Sequence, residues 1–164
     1  MMTLLWHPTS LGDMLLAAAG ETLVGAWFRG QKHFPQSLPA SEDAPAAAVL
    51  AEASGQLDAY LAGRRTAFDL ALAPRGTAWQ HAVWEALRAI PYGETLSYGQ
   101  LATRLGKPAA ARATGAAVGR NPLSILIPCH RVLGATGGLT GYAGGLDRKR
   151  ALLALEQAGP ADRP

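Results

Sequence analysis

Residues 97–132 read SYGQLATRLGKPAAARATGAAVGRNPLSILIPCHRV, and the way this run divides decides the C-terminal half of the fold. A helix is expected from about Ser97 to Leu105, and Gly106-Lys107-Pro108 turns the chain. A second helix is expected from about Ala109 to Val118, stopped by Asn121-Pro122. Ala102 is small where two helices must cross, and Gly106 suits the tight turn, so the layout is that of a helix-turn-helix. The second helix is nearly free of bulk, carrying Ala109, Ala110, Ala111, Ala113, Gly115, Ala116, Ala117 and Gly119. A helix that reads the major groove needs long polar side chains, and this one offers only Arg112, Thr114 and Arg120. A bulk-free helix can instead press against a narrow surface such as the DNA minor groove. Close packing against another helix is the alternative.

The run ends in SILIPCHRV, expected to be strand-like and buried until Pro128. It holds Cys129, the one cysteine of the chain, with His130 beside it. A thiolate is the reactive form, and a free thiol, with a pKa of about 8.5, is mostly protonated at neutral pH. A nearby imidazole oriented by a carboxylate raises the thiolate fraction. Glu156, set among Leu152, Leu153 and Leu155, is the candidate orienter. Consecutive residues of a strand point to opposite faces, so Cys129 and His130 can cooperate only if Pro128 begins a turn. An inert, packed cysteine is the alternative.

Downstream, GATGGLTGYAGG is a glycine-rich loop, and Asp147 is expected to cap a final helix, RKRALLALEQAG. Upstream, Thr77 is expected to cap a helix carrying Trp79, Val83, Trp84 and Leu87 on one face. Before a break near residues 73–76, TLLWH and TLVGAWF have strand composition, and GET marks a turn between them. HFPQSLPASEDAP reads as a loop. PAAAVLAEASGQLDAYLAG has helical spacing, and TAFDLAL reads as a closing strand. His7 and His33 are isolated.

At 164 residues with 49% hydrophobic and 16% charged residues, the chain is a packed globular protein of one core or two small domains. Residues 1–73 hold four Lys/Arg against seven Asp/Glu, and residues 74–164 hold eleven against five. The basic second half suits a polyanion, with nucleic acid first. No apolar run reaches bilayer length, and MMTLLWHPTS lacks a basic leader. One cysteine allows no internal disulfide, which suits a reducing, cytoplasmic setting, and it excludes zinc ribbons and iron–sulfur clusters.

These residues resemble the O6-alkylguanine-DNA alkyltransferase (methylated-DNA–protein-cysteine methyltransferase) family. ILIPCHRV looks like the family's active-site signature. The likeness runs from about Thr77 to Gly159, through PYGETLSYGQLA, the Arg112 helix, the GRNP corner and GYAGGLDRKRALLALE. The resemblance implies a ribonuclease-H-like α/β domain over residues 1–75 and a mostly helical C-terminal domain with a helix-turn-helix over 76–164. It implies repair of double-stranded DNA carrying O6-alkylguanine, with O4-alkylthymine as a further candidate substrate, and it implies no cofactor; the structural zinc that some relatives hold through cysteines is not expected with Cys129 alone, and a monomer is the default expectation. Arg112 would replace an extruded nucleotide, with Ala111, Thr114, Gly115 and Arg120 also on the DNA. Cys129 would take the alkyl group, His130 the thiol proton through a water, and Glu156 would polarise the imidazole. Asn121 would orient helix and cysteine loop, and Tyr98 would donate toward guanine N3. Tyr142, Ala143 and Gly144 would wall the pocket, backbone carbonyls at Cys129 and Val132 would accept from the guanine amino group, and Lys149 would support the wall. Two competing readings are a non-catalytic alkyltransferase-like binding module, which the presence of Cys129 opposes, and a thiol hydrolase, for which no oxyanion-hole motif stands out.

Overall fold

The computed structural model describes residues 1–160 of the 164. Three antiparallel strands open the chain, β1 (Thr3–Thr9), β2 (Gly12–Ala19) and β3 (Thr22–Phe28), in the order β1-β2-β3. The GET turn joins β2 to β3, with Gly20 at φ 57°. Sequence patterning had not singled out β2, GDMLLAAA. Its central residues are buried on both faces, so it has no polar alternation, and alanine is a helix former. One face, with Met14, Leu16, Ala26 and Phe28, joins the main core; Leu15, Ala17, Val24 and Trp27 form a smaller cluster on the other.

Helix α1 (Ala44–Leu61) lies on the sheet. Asp43 caps it by accepting from the Ala46 N–H at 3.1 Å. Leu50, Ala53, Leu57 and Tyr60 form its buried stripe. TAFDLAL is not a strand. It makes one isolated bridge, Leu23 to Leu72, and upstream of it the Gln56 side chain takes both backbone groups of Asp69, at 2.9 and 3.1 Å, in place of a strand partner.

The C-terminal half is mostly helical. α2 (Ala78–Arg88) begins with a capping box between Thr77 and Gln80, and α3 (Tyr98–Arg104) with one between Ser97 and Gln100. Gly106, at φ 74°, turns the chain toward α4 (Ala111–Gly119). This helix starts two residues later than its composition suggests, because the chain is still turning there, with Ala110 N–H bonded to the Lys107 carbonyl at 2.9 Å. Trp84 donates its indole N–H to the Ala117 carbonyl at 2.9 Å, locking α2 to α4.

SILIPCHRV is a sharp turn rather than a strand. Ile125 has a φ of 72°, and Ser124 and Ile127 form an isolated bridge. Cys129–Arg131 then form a 3₁₀ turn led by Pro128. Two-residue strands β4 (Leu96–Ser97) and β5 (Val132–Leu133) pair in parallel. α5 (Leu146–Ala158) closes the fold. Its N-cap is Gly145, at φ 93°, and Asp147 sits in the first turn, where it pairs with Arg150. The two halves are stitched by backbone bonds from Ala26 N–H to the Pro122 carbonyl (2.8 Å) and from Ser124 N–H to the Ala26 carbonyl (3.0 Å). Among the described residues no helix is long and apolar enough to cross a membrane.

Trp84 is almost wholly buried. Trp84→Ala is expected to cost about 3–5 kcal/mol, seen as a lower urea midpoint at unchanged slope in chemical denaturation.

Candidate active site

Cys129 opens the 3₁₀ turn and is 4% exposed. That exposure faces a cavity of about 480 Å³, walled by Tyr98, by Gly115, Ala116 and Gly119 of α4, and by Gly141, Tyr142 and Ala143 of the glycine loop. Asn121 builds the platform beneath. Its Oδ1 accepts from Leu123 N–H at 2.9 Å, and its Nδ2 donates to the Ile127 carbonyl at 2.8 Å. These bonds clamp the turn between α4 and the cysteine.

Burial pushes the Cys129 thiol up, while the Asn121 amide, the Lys149 ammonium and the Tyr142 hydroxyl pull it back toward ionisation. Lys149 is itself buried and donates to the carbonyls of Thr140 and Gly141 at 2.9 and 3.1 Å, so one cation both anchors the loop and faces the sulfur.

His130 is fully buried, and its Nε2 lies 2.7 Å from Glu156 Oε2. Burial opposes a charge on Glu156, yet hydrogen bonds from His130 and Arg131, joined by the Tyr60 hydroxyl, hold its carboxyl well below the usual carboxylate range. Arg131 grips both oxygens, Nε to Oε1 at 2.8 Å and Nη2 to Oε2 at 2.9 Å, and gives Nη1 to the Ile90 carbonyl at 2.6 Å. Gly93 N–H adds a bond to Oε1 at 3.2 Å. An ionised carboxylate only accepts, so the imidazole proton resides on Nε2. Nδ1 is then an unprotonated, buried nitrogen with no partner among the described residues. Burial holds the ring neutral against the pull of Glu156. The site therefore pairs a cavity-facing thiol with a neutral imidazole whose one open position is a proton acceptor.

The cavity wall carries its own chemistry. Tyr98 donates its hydroxyl to the Thr140 carbonyl at 3.2 Å, and burial keeps it protonated. The Tyr142 hydroxyl is buried without a nitrogen or oxygen partner among the described residues. A side chain at Gly144 would strike the rings of Tyr142 and Phe28, at 2.6 and 3.1 Å, so only glycine fits. Lys32 N–H donates to the Ala143 carbonyl at 3.0 Å, tying the N-terminal half to this wall.

Most residues expected in the site are brought together here, and one expectation is corrected. Thr114 is fully buried under α4, so its side chain does not reach the outer face where Arg112, Ala113, Ala116 and Arg120 are exposed. Val132, in β5, and Gly144 adjoin the lining residues, three positions after Cys129 and next to Ala143 respectively. Sequence reasoning missed four contributors. Lys32 and His33 reach the cavity from the N-terminal half. Tyr60 and Arg131 meet at Glu156. Tyr60 carried one usable signal: a hydroxyl on the apolar stripe of α1 requires a buried partner. Among the described residues, no three His, Cys, Asp or Glu side chains gather as a metal site.

Fold and site together define a two-part protein, a small sheet domain backing a helical domain built around one thiol. Two family models match it: the ribonuclease-like domain of 6-O-methylguanine DNA methyltransferase over residues 5–74, and the DNA binding domain of the same family over residues 78–158. A methylated-DNA–protein-cysteine methyltransferase of Mycobacterium tuberculosis is 49% identical over 153 residues, 93% of this chain and 91% of the relative. The crystal structure of the Mycobacterium tuberculosis O6-methylguanine methyltransferase superposes with a TM-score of 0.87 at 47% identity, covering 99% of this chain and 97% of that one. A structure of Mycobacterium tuberculosis OGT in complex with DNA matches at a TM-score of 0.84 and 46% identity, covering 96% and 94%. This chain belongs to the 6-O-methylguanine DNA methyltransferase family.

Both Glu156 and His130 bind protons more weakly in the folded than in the unfolded chain. Stability is therefore full above their unfolded values and falls with pH, first below about 6.5 and again below about 4.3. Glu156→Gln is expected to remove the lower step and to cost about 3–5 kcal/mol at neutral pH, because Arg131 loses its buried partner. Denaturation midpoints from pH 2 to 8 measure both effects.

Proposed function

We propose that this protein repairs DNA by moving an alkyl group from O6 of guanine to Cys129, once per molecule. The observation that carries the reading is the open Nδ1 of His130, its Nε2–H tied to Glu156, behind a thiol that faces a cavity. In this reading a bridging water passes the thiol proton to Nδ1. The thiolate attacks the alkyl carbon, a C–S bond forms and the C–O6 bond breaks. The electron pair stays with guanine, which takes up one proton, so the proton leaving the thiol is balanced by the one gained by the base. Tyr98 turns from Thr140 to donate toward guanine N3 and stabilises the developing charge. The Ala143 N–H addresses O6. A thioether has no good leaving group, so the cysteine is consumed, and no cofactor takes part.

DNA is engaged through the outer face of α4, second helix of the helix-turn-helix α3–α4. Its small side chains admit the minor groove. Exposed Arg112 enters the stack and fills the space of an extruded nucleotide, with Ala111, Gly115 and Arg120 around it, because the alkylated atom is out of reach inside a duplex. The relative solved with DNA supports this use of the shared fold. The division into domains 1–75 and 76–164, action as a monomer and a cytoplasmic setting belong to the same reading. Cys129 itself opposes a purely non-catalytic binding role.

Incubation with duplex DNA carrying O6-methylguanine is expected to leave one methyl group on the peptide containing Cys129, seen by mass spectrometry; turnover beyond one equivalent contradicts the reading. Cys129→Ser is expected to bind this DNA and transfer nothing. Arg112→Ala is expected to slow repair in duplex DNA more than reaction with the free base, because extrusion costs a few kcal/mol; equal losses on both substrates would remove Arg112 from that role.

A further inference from the structure

We infer that Tyr60, at the end of α1 in the N-terminal domain, is a positioning residue of the proton relay: its hydroxyl shares Glu156 Oε2 with His130 Nε2–H and so sets how firmly His130 holds its proton. The inference rests on the reading of His130 as the thiol's proton acceptor.

The Tyr60 ring is wholly buried, held between Phe68 (centroids 5.2 Å apart) and Tyr92 (6.1 Å, edge-on). Its hydroxyl donates to Glu156 Oε2 and lies 3.4 Å from His130 Nε2. Three donors therefore converge on Oε2: Tyr60, His130 and Arg131. Arg131 and the Gly93 N–H occupy Oε1. The charged and titratable groups around the imidazole are Glu156 from α5, Arg131 and Cys129 from its own turn, Lys149 from α5, and Tyr60 from α1.

Tyr60 is the group here that belongs to the N-terminal half. The remainder of the buried stripe of α1 is Ala46, Leu50, Ala53, Gln56 and Leu57, and its apolar members pack into the main core. A phenylalanine would fill the same ring space. The hydroxyl adds a donor that takes negative charge from the oxygen on which His130 depends. With that donor gone, the carboxylate is more basic and holds the imidazole's Nε2 proton more strongly, so Nδ1 becomes easier to protonate from solvent. A protonated ring cannot accept the thiol proton.

The test is Tyr60→Phe in the full chain. Single-turnover alkyl-transfer rates are measured on O6-methylguanine duplex from pH 5 to 9, with DNA affinity and urea stability measured alongside. DNA affinity is expected to stay within two-fold. The rate at neutral pH is expected to fall about ten-fold, a modest part of the roughly 10²–10⁴-fold that proton transfer supplies. The acid limb of the profile is expected to move to higher pH. A profile that keeps the wild-type shape, with only stability reduced, overturns the inference and leaves Tyr60 as packing. ¹⁵N NMR of His130 in the unmodified protein gives a readout that needs no variant. Protonated Nε2 and bare Nδ1 at neutral pH support the relay, and the opposite tautomer overturns it. If the unmodified protein moves no alkyl group to Cys129, the transfer reading itself fails, while the His130 titration followed by ¹⁵N NMR still judges the contact: a midpoint higher in Tyr60→Phe than in the unmodified protein supports it, and an unchanged one overturns it.

Discussion

The buried carboxylate of Glu156 is the constraint on which the site depends. A charge placed that deep is tolerated only when its lone pairs are filled. Five donors fill them: two from Arg131 and one each from His130, Tyr60 and Gly93. The donors come from α1, from the turn after α2, and from the 3₁₀ turn that carries the cysteine. One side chain on α5 thus ties together three other parts of the chain, and the imidazole is held in one tautomer as a result.

The same cluster separates two tasks that a cysteine site must reconcile. The thiol needs an opening to receive a substrate, and the base beside it needs a dry, fixed setting. The 3₁₀ turn after Pro128 solves this by placing neighbouring residues in different surroundings: Cys129 faces the cavity, while His130 is sealed behind it. Asn121 makes the turn possible by satisfying the backbone where no strand ladder exists. Asn121 stands two residues past the end of α4, so its two hydrogen bonds, to Leu123 and Ile127, tie the end of that helix to the segment leading to the cysteine.

The sheet domain does more than cover an apolar face. Bonds from Ala26 hold the 122–124 segment, Lys32 holds the Ala143 wall, and Tyr60 reaches Glu156. Each acts on a different part of the site: the platform under the sulfur, the rim of the cavity, and the carboxylate. Breaking the sheet would therefore be felt in the chemistry without any change in the C-terminal residues.

Read by itself, the sequence determined the starts of α2 and α3, though not of α4 and α5, and it determined the reagents. Thr77 marks the start of α2 and Ser97 that of α3, because a cap is satisfied within four residues. The family motif around Cys129, the small-residue helix with Arg112 and the acidic Glu156 were legible as chemistry from residue type and order. Strand β2 was not, since burial on both faces erases the alternation that marks a strand. SILIPCHRV looked like a strand because its apolar run is the same; the positive φ at Ile125 and the Asn121 clamp make it a turn. The tautomer of His130, the five-fold grip on Glu156 and the inward turn of Thr114 were decided only by tertiary structure. Tyr60 and Glu156 stand 96 positions apart, and no periodicity or cap acts over that distance; only the packing of one half on the other brings them into contact.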